Sequence, residues 1–61
     1  MWIKDKDGDY YNMDHVKEIY YDGGSNNTRV SFGATVVAIP GDVRDVVIAN
    51  LVSGTKIMEV R

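Results

Sequence analysis

The chain has no cysteine, a single proline and a single histidine among its 61 residues. Without cysteine there is neither a disulfide framework nor a thiolate zinc site, and those are two of the usual supports of a chain this small. One histidine cannot make a multi-histidine metal site. No apolar run approaches the roughly 20 residues of a membrane span. No apolar signal core opens the chain; the acidic run Asp5 to Asp9 lies where one would be. These absences point to a cytoplasmic protein with no membrane role and no cofactor. A basic excess is missing too. Seven basic side chains face nine acidic ones, for a formal charge of −2, whereas sequence-independent binding to nucleic acid needs a basic footprint. Chains of this length bury a limited share of their surface. With disulfides and metals excluded, oligomerisation is the expected support, a homodimer first.

What is present begins with one stretch of helical character, Asp42 to Ser53. Pro40-Gly41 breaks the strand before it. Asp42 sits at the N-cap position with Asp45 three residues on, and both carboxylates suit the positive end of the helix dipole. Gly54 follows as the C′ glycine, with Lys56 beyond. Val43, Val47 and Leu51 form one apolar stripe, widened by Val46 and Asn50; Ile48 and Val52 form a second. Val and Ile are poor helix formers in isolation, so tertiary packing must hold this helix.

Everything earlier reads as short strands and turns. Met1 to Lys4 is a strand whose Trp2 and Ile3 point to opposite faces. Asp7-Gly8 is a hairpin signal, and a second strand runs from about Asp9 to Asn12. Asn12 to Val16 forms a single turn capped by Asn12 or Asp14. A strand from about Lys17 to Asp22 carries Ile19 and Tyr21 on one face and Tyr20 with Glu18 on the other. Gly23 to Asn27 is a loop. In Thr28 to Phe32, Val30 and Phe32 point inward and Arg29 and Ser31 outward. Gly33-Ala34 makes a tight turn into Thr35 to Ile39, apolar on both faces and so central, covered, or at an interface. After the helix, Lys56 to Val60 is a final strand. The expected fold is α+β in a single domain, residues 1–61: an antiparallel meander of about five strands, one C-terminal helix over about 42–53, and a short last strand.

Catalytic chemistry finds little footing. His15 lies in a turn beside Asp14, and Ser25, Ser31 and Ser53 carry no supporting motif for a nucleophile with its base and orienting group. The Asp5 to Asp9 run fails as a calcium loop. Setting Gly8 sixth puts Ile3 at the first ligand position; setting Asp5 first puts Tyr10 at the glycine position and Val16 where the bidentate Glu belongs. Gly23-Gly24 lacks P-loop spacing. Asn26-Asn27-Thr28 matches a glycosylation sequon by chance. What remains are surfaces. Val36, Ile48, Val52, Met58 and Val60 are candidates for a self-association interface. Trp2, Tyr10, Tyr20 and Arg29 are candidates for a partner surface, and tyrosines on a sheet beside an arginine also fit a stacking platform for nucleic acid.

The pattern Trp2-Ile3, Gly8-Asp9-Tyr10-Tyr11-Asn12-Met13, Val16 to Ile19, Val30 to Phe32, then Ile39 and a helix resembles a class of very small proteins of Gram-positive bacteria and their phages. Its first half is also similar to LytTR-type DNA-binding domains and to small flagellar FlbD-like proteins, although the basic residues of a DNA-reading surface are gathered nowhere here. Phage proteins of this class include inhibitors of host defence systems. The resemblance implies a phage or prophage accessory protein that binds and inhibits a host protein in the host cytoplasm. The expected function is therefore a non-enzymatic protein-interaction module; the alternative is a small nucleic-acid-binding or regulatory module.

Overall fold

The computed structural model describes residues 1–60; Arg61, counted in the expected domain, lies outside the described residues. The chain runs β1 (Trp2–Lys4), β2 (Tyr10–Asn12), a 3₁₀ turn (Met13–His15), β3 (Glu18–Asp22), β4 (Asn27–Ser31), β5 (Val36–Pro40), α1 (Arg44–Ser53) and β6 (Ile57–Glu59). The α+β class is as expected. The strands, however, divide into two three-stranded sheets, β2-β1-β6 and β3-β4-β5, where a single meander was anticipated. The break falls at the 3₁₀ turn, which Asn12 caps by accepting the Asp14 N–H at 3.0 Å. The chain turns away there, and β1 takes β6 as a parallel neighbour in register Trp2–Ile57, Ile3–Met58, Lys4–Glu59.

Hairpin chemistry sets the antiparallel pairs. Between β1 and β2, Asp5 N–H donates to Asp9 C=O at 2.9 Å and Gly8 N–H to Asp5 C=O at 3.1 Å. Gly8 has φ +86°, the left-handed residue that ends a three-residue hairpin loop. Between β4 and β5, Phe32 N–H donates to Thr35 C=O at 2.8 Å around Gly33, at φ +100°.

The period-2 alternation decides what is inside. Ile3, Tyr11 and Met58 share the inner face of the first sheet, and Ile19, Tyr21, Thr28, Val30, Val37 and Ile39 that of the second. Ile3, Met13, Val30, Val37, Ile39, Val47 and Val60 are buried together as one core. Tyr11 and Phe32 stack across it, ring centroids 5.7 Å apart. β5 is apolar on both faces, yet it is an edge strand with one face buried (Val37, Ile39) and the other exposed (Val36, Ala38, Pro40).

The helix starts one residue later than its carboxylates suggest. The residue before its first turn is Val43, with no side-chain cap. Asp42 is engaged instead by Arg44, whose Nε and Nη2 donate to its two oxygens at 2.9 and 2.8 Å. The chain entering the helix is held by Thr28, a fully buried residue of β4. Its hydroxyl donates to Gly41 C=O at 2.7 Å and accepts Val43 N–H at 2.8 Å. The other end is as expected: Gly54 at φ +78° closes a Schellman motif, with Thr55 N–H on Asn50 C=O and Gly54 N–H on Leu51 C=O. Val47 is buried, and Val43 and Leu51 pack against the core with it. Val46, which was to widen that stripe, is half exposed.

Candidate interaction faces

Parallel pairing of β6 with β1 builds a surface that neither strand forms alone. The outer face of the first sheet is a small grid. One row reads Asn12, Trp2, Ile57 across β2, β1 and β6; the next reads Tyr10, Lys4, Glu59. Neighbouring strands lie about 4.8 Å apart, so these side chains touch or nearly touch. Trp2 is 45% exposed, Tyr10 52% and Ile57 54%. The Lys4 ammonium lies over the Tyr10 ring, 5.7 Å from its centroid, and Glu59 stands on the other side of Lys4. The face thus joins two aromatics and an isoleucine to one amide and a pair of opposite charges. Tryptophan and tyrosine are enriched at the energetic centre of protein interfaces, and lysine and glutamate belong to the rim.

The four partner-surface candidates separate. Trp2 and Tyr10 lie on this face; Tyr20 and Arg29 are direct cross-strand neighbours on the outer face of the second sheet. Arg29 is already paired with an anion of its own sheet. Its Nε donates to Asp22 Oδ2 at 3.1 Å, and Asp22, bound by the Ser25 hydroxyl and by Arg29, titrates below the ordinary carboxylate range. Ile57 was missed as a member of the Trp2 face. Its outward phase in β6 follows from alternation, but its place beside Trp2 follows only from the parallel pairing.

The five self-association candidates separate as well. Met58 and Val60 point inward: Met58 is in register with Ile3, and Val60, whose N–H donates to Lys4 C=O at 2.8 Å, is part of the core. They are not available to a second chain. Val36 lies on the outer face of β5, while Ile48 and Val52 remain a helix stripe, with Val52 83% exposed.

The Asp5 carboxylate has an intramolecular role. Oδ1 accepts the N–H groups of Asp7 and Asp9 at 3.0 and 2.9 Å, and Oδ2 accepts the Tyr11 hydroxyl at 2.9 Å. The Asp9 N–H chiefly, with the Tyr11 hydroxyl and the Asp7 N–H, holds Asp5 below the usual carboxylate range; the bond to Asp5 raises Tyr11. His15 is exposed on the 3₁₀ turn. The hydroxyls of Ser25, Ser31 and Ser53 are engaged elsewhere, with Arg29, with Gly33 N–H, and with Asn50 C=O and Thr55.

No family model, curated protein or solved structure matches this chain. No described helix is long and apolar enough to cross a membrane.

Proposed function

We propose that this chain is a non-enzymatic protein-interaction module and that it holds its partner through the outer face of β2-β1-β6, with Trp2 as anchor. One observation carries the reading: Trp2, Tyr10 and Ile57 are gathered on one sheet face, each about half exposed. A tryptophan at the middle of a three-stranded sheet, left facing water, withholds from the core the largest apolar side chain in the sequence. A partner that covers it recovers that burial. The resemblance to small proteins of Gram-positive bacteria and their phages supports a host protein as the partner, bound in the host cytoplasm and inhibited by the complex. Against a nucleic-acid role stand the formal charge of −2 and the pairing of Arg29, beside Tyr20, with Asp22.

The test is affinity purification from a Gram-positive host with the native chain and with Trp2→Ser. One protein retained in stoichiometric amount by the native chain and lost with Trp2→Ser, while the variant still unfolds cooperatively, supports the reading. Nucleic acid that co-purifies and is released by salt would replace it with the alternative. Trp2 is the only tryptophan, so its emission should also shift to the blue when the partner covers it.

Self-association is a second reading, carried by a separate observation. Ile48 and Val52, one helical turn apart, face solvent at 48% and 83% exposure. We propose that this stripe pairs with its copy across a twofold axis.

A further inference from the structure

β5 has β4 on one side and, among the described residues, no backbone partner on the other. The phase of its hydrogen bonding is fixed at both ends. Phe32 N–H reaches Thr35 C=O and Gly41 N–H reaches Asn26 C=O, both at 2.8 Å, so bonded pairs recur at every second residue. Val37 and Ile39 therefore turn their backbone groups to β4. Val36 and Ala38 turn an N–H and a C=O each to the open side, and Pro40 turns a C=O alone. This is where a sheet tolerates proline, because its missing N–H falls on the free edge.

A groove of about 320 Å³ runs along this edge. Val36, Ala38 and Pro40 form one wall, the β1–β2 turn forms the other, and Val60 and Tyr11 also line it. The turn brings Asp5, Lys6 and Asp7, two carboxylates against one ammonium. An unpaired edge beside a partly apolar groove with a net-negative rim is the geometry for adding a strand.

We propose that the free edge of β5 binds an extended segment of another protein, with alternating apolar side chains and basic residues, by strand addition. A second copy of this chain fits the edge less well. Symmetric pairing about Ala38 would set Val36 against Pro40 twice and lose an N–H donor at each end, whereas a foreign strand meets Pro40 once. The inference rests on a different surface from the Trp2 face and stands or falls separately.

The probe is a fluorescein-labelled peptide, acetyl-Lys-Val-Lys-Val-Lys-amide, followed by polarisation against the intact chain. Saturable binding is expected, at least tenfold tighter than for the peptide with Glu in place of Lys. Two peptides N-methylated at alternate residues should differ. The one that loses the N–H groups facing β5 should bind at least tenfold more weakly, and the other should bind as before. Amide exchange at Val36 and Ala38 should slow about tenfold in the complex, with Val37 and Ile39 unchanged. Ala38→Pro removes an edge N–H that makes no bond to β4 and should weaken the probe by at least tenfold. No saturable binding at millimolar peptide overturns the proposal. So do equal effects of the two methylation patterns, protection at Trp2 and Tyr10 instead of β5, or protection of Val36 and Ala38 by a concentration-dependent doubling of mass without peptide.

Discussion

Thr28 is the one fully buried polar residue among those described. It lies on the inner face of β4, and its one hydroxyl joins the Gly41 carbonyl to the Val43 N–H. Replacing it with valine keeps the shape and strands both partners, which costs about 1 to 3 kcal/mol. Against the roughly 3 to 9 kcal/mol expected for a chain of this length, that is a large share. Urea unfolding of Thr28→Val should show a lower midpoint at unchanged slope, and Thr28→Ser should lie between it and the native chain. Alternation with Val30 and Phe32 places Thr28 on the inner face in the sequence. Its partners, 13 and 15 residues on, are not legible there, because a hydroxyl carries no local sign of which distant backbone group it meets. The carboxylates behave alike. Asp5, Asp22 and Asp42 are all held below the ordinary value, by the Asp9 N–H, the Ser25 hydroxyl and Arg44 respectively, each with further donors. A depressed folded pKa contributes stability that is complete above the unfolded value of about 3.9 and is lost as pH falls through the lower folded value. The difference in urea midpoint between the native chain and Asp5→Asn should therefore hold from neutral pH to about 4 and close below it. A difference that persisted at pH 2 would show that the turn depends on Asp5 through shape alone.

Among the elements, the helix shows what local chemistry does and does not decide. Its end is written at Gly54, whose left-handed backbone lets Thr55 and Gly54 close onto Asn50 and Leu51. A β-carbon at Gly54 would meet no atom within 4 Å, so Gly54→Ala isolates the backbone cost, about 1 to 2 kcal/mol. Thermal unfolding should report a fall of several degrees. The start is less legible. Asp42 has the composition of a cap, but Arg44 two residues on captures it bidentately, and a competition between two nearby partners is settled by geometry the sequence does not show. For the strands, the period of 2 sorts residues into two faces, but in β1, β5 and β6 it does not say which face is inner: Met58 and Val60 read as interface candidates and turn inward. Nor does it say which strands share a sheet. Hairpin signals at Gly8 and Gly33 tie neighbours together, whereas β1 and β6 pair across nearly the whole chain with no turn between them to announce it. The Trp2 face depends on that pairing, so two of its three large apolar members were legible one strand at a time and the face itself was not.

At the scale of the molecule, the question is whether one chain suffices. It exposes 4003 Å², close to the roughly 4,000 Å² that a compact monomer of 6.8 kDa presents. By that measure the fold closes on itself. The apolar groups left outside are nevertheless large and lie on separate elements: Trp2, Tyr10 and Ile57 on one sheet, Ile48 and Val52 on the helix, Val36 on β5. Val52, at 83% exposure, contributes almost nothing to the folded monomer, and this makes it a clean test of self-association. Val52→Asp should lower the melt of a dilute sample only slightly, through a carboxylate set against the helix dipole. In the native chain, if the helix stripe joins two copies, a tenfold rise in concentration stabilises the dimer by about 1.4 kcal/mol, or about 0.7 per chain, and should raise the melting temperature by about 3 to 5 °C. Val52→Asp should abolish that dependence, and light scattering should show a dimer mass for the native chain and a monomer mass for the variant. A native monomer at tens of micromolar with a concentration-independent melt would assign the helix stripe, like the Trp2 face, to a different protein. The Trp2 face and the helix stripe would then both be partner surfaces on a self-sufficient monomer, and a Trp2→Ser, Val52→Asp double variant should lose both partners while still unfolding cooperatively.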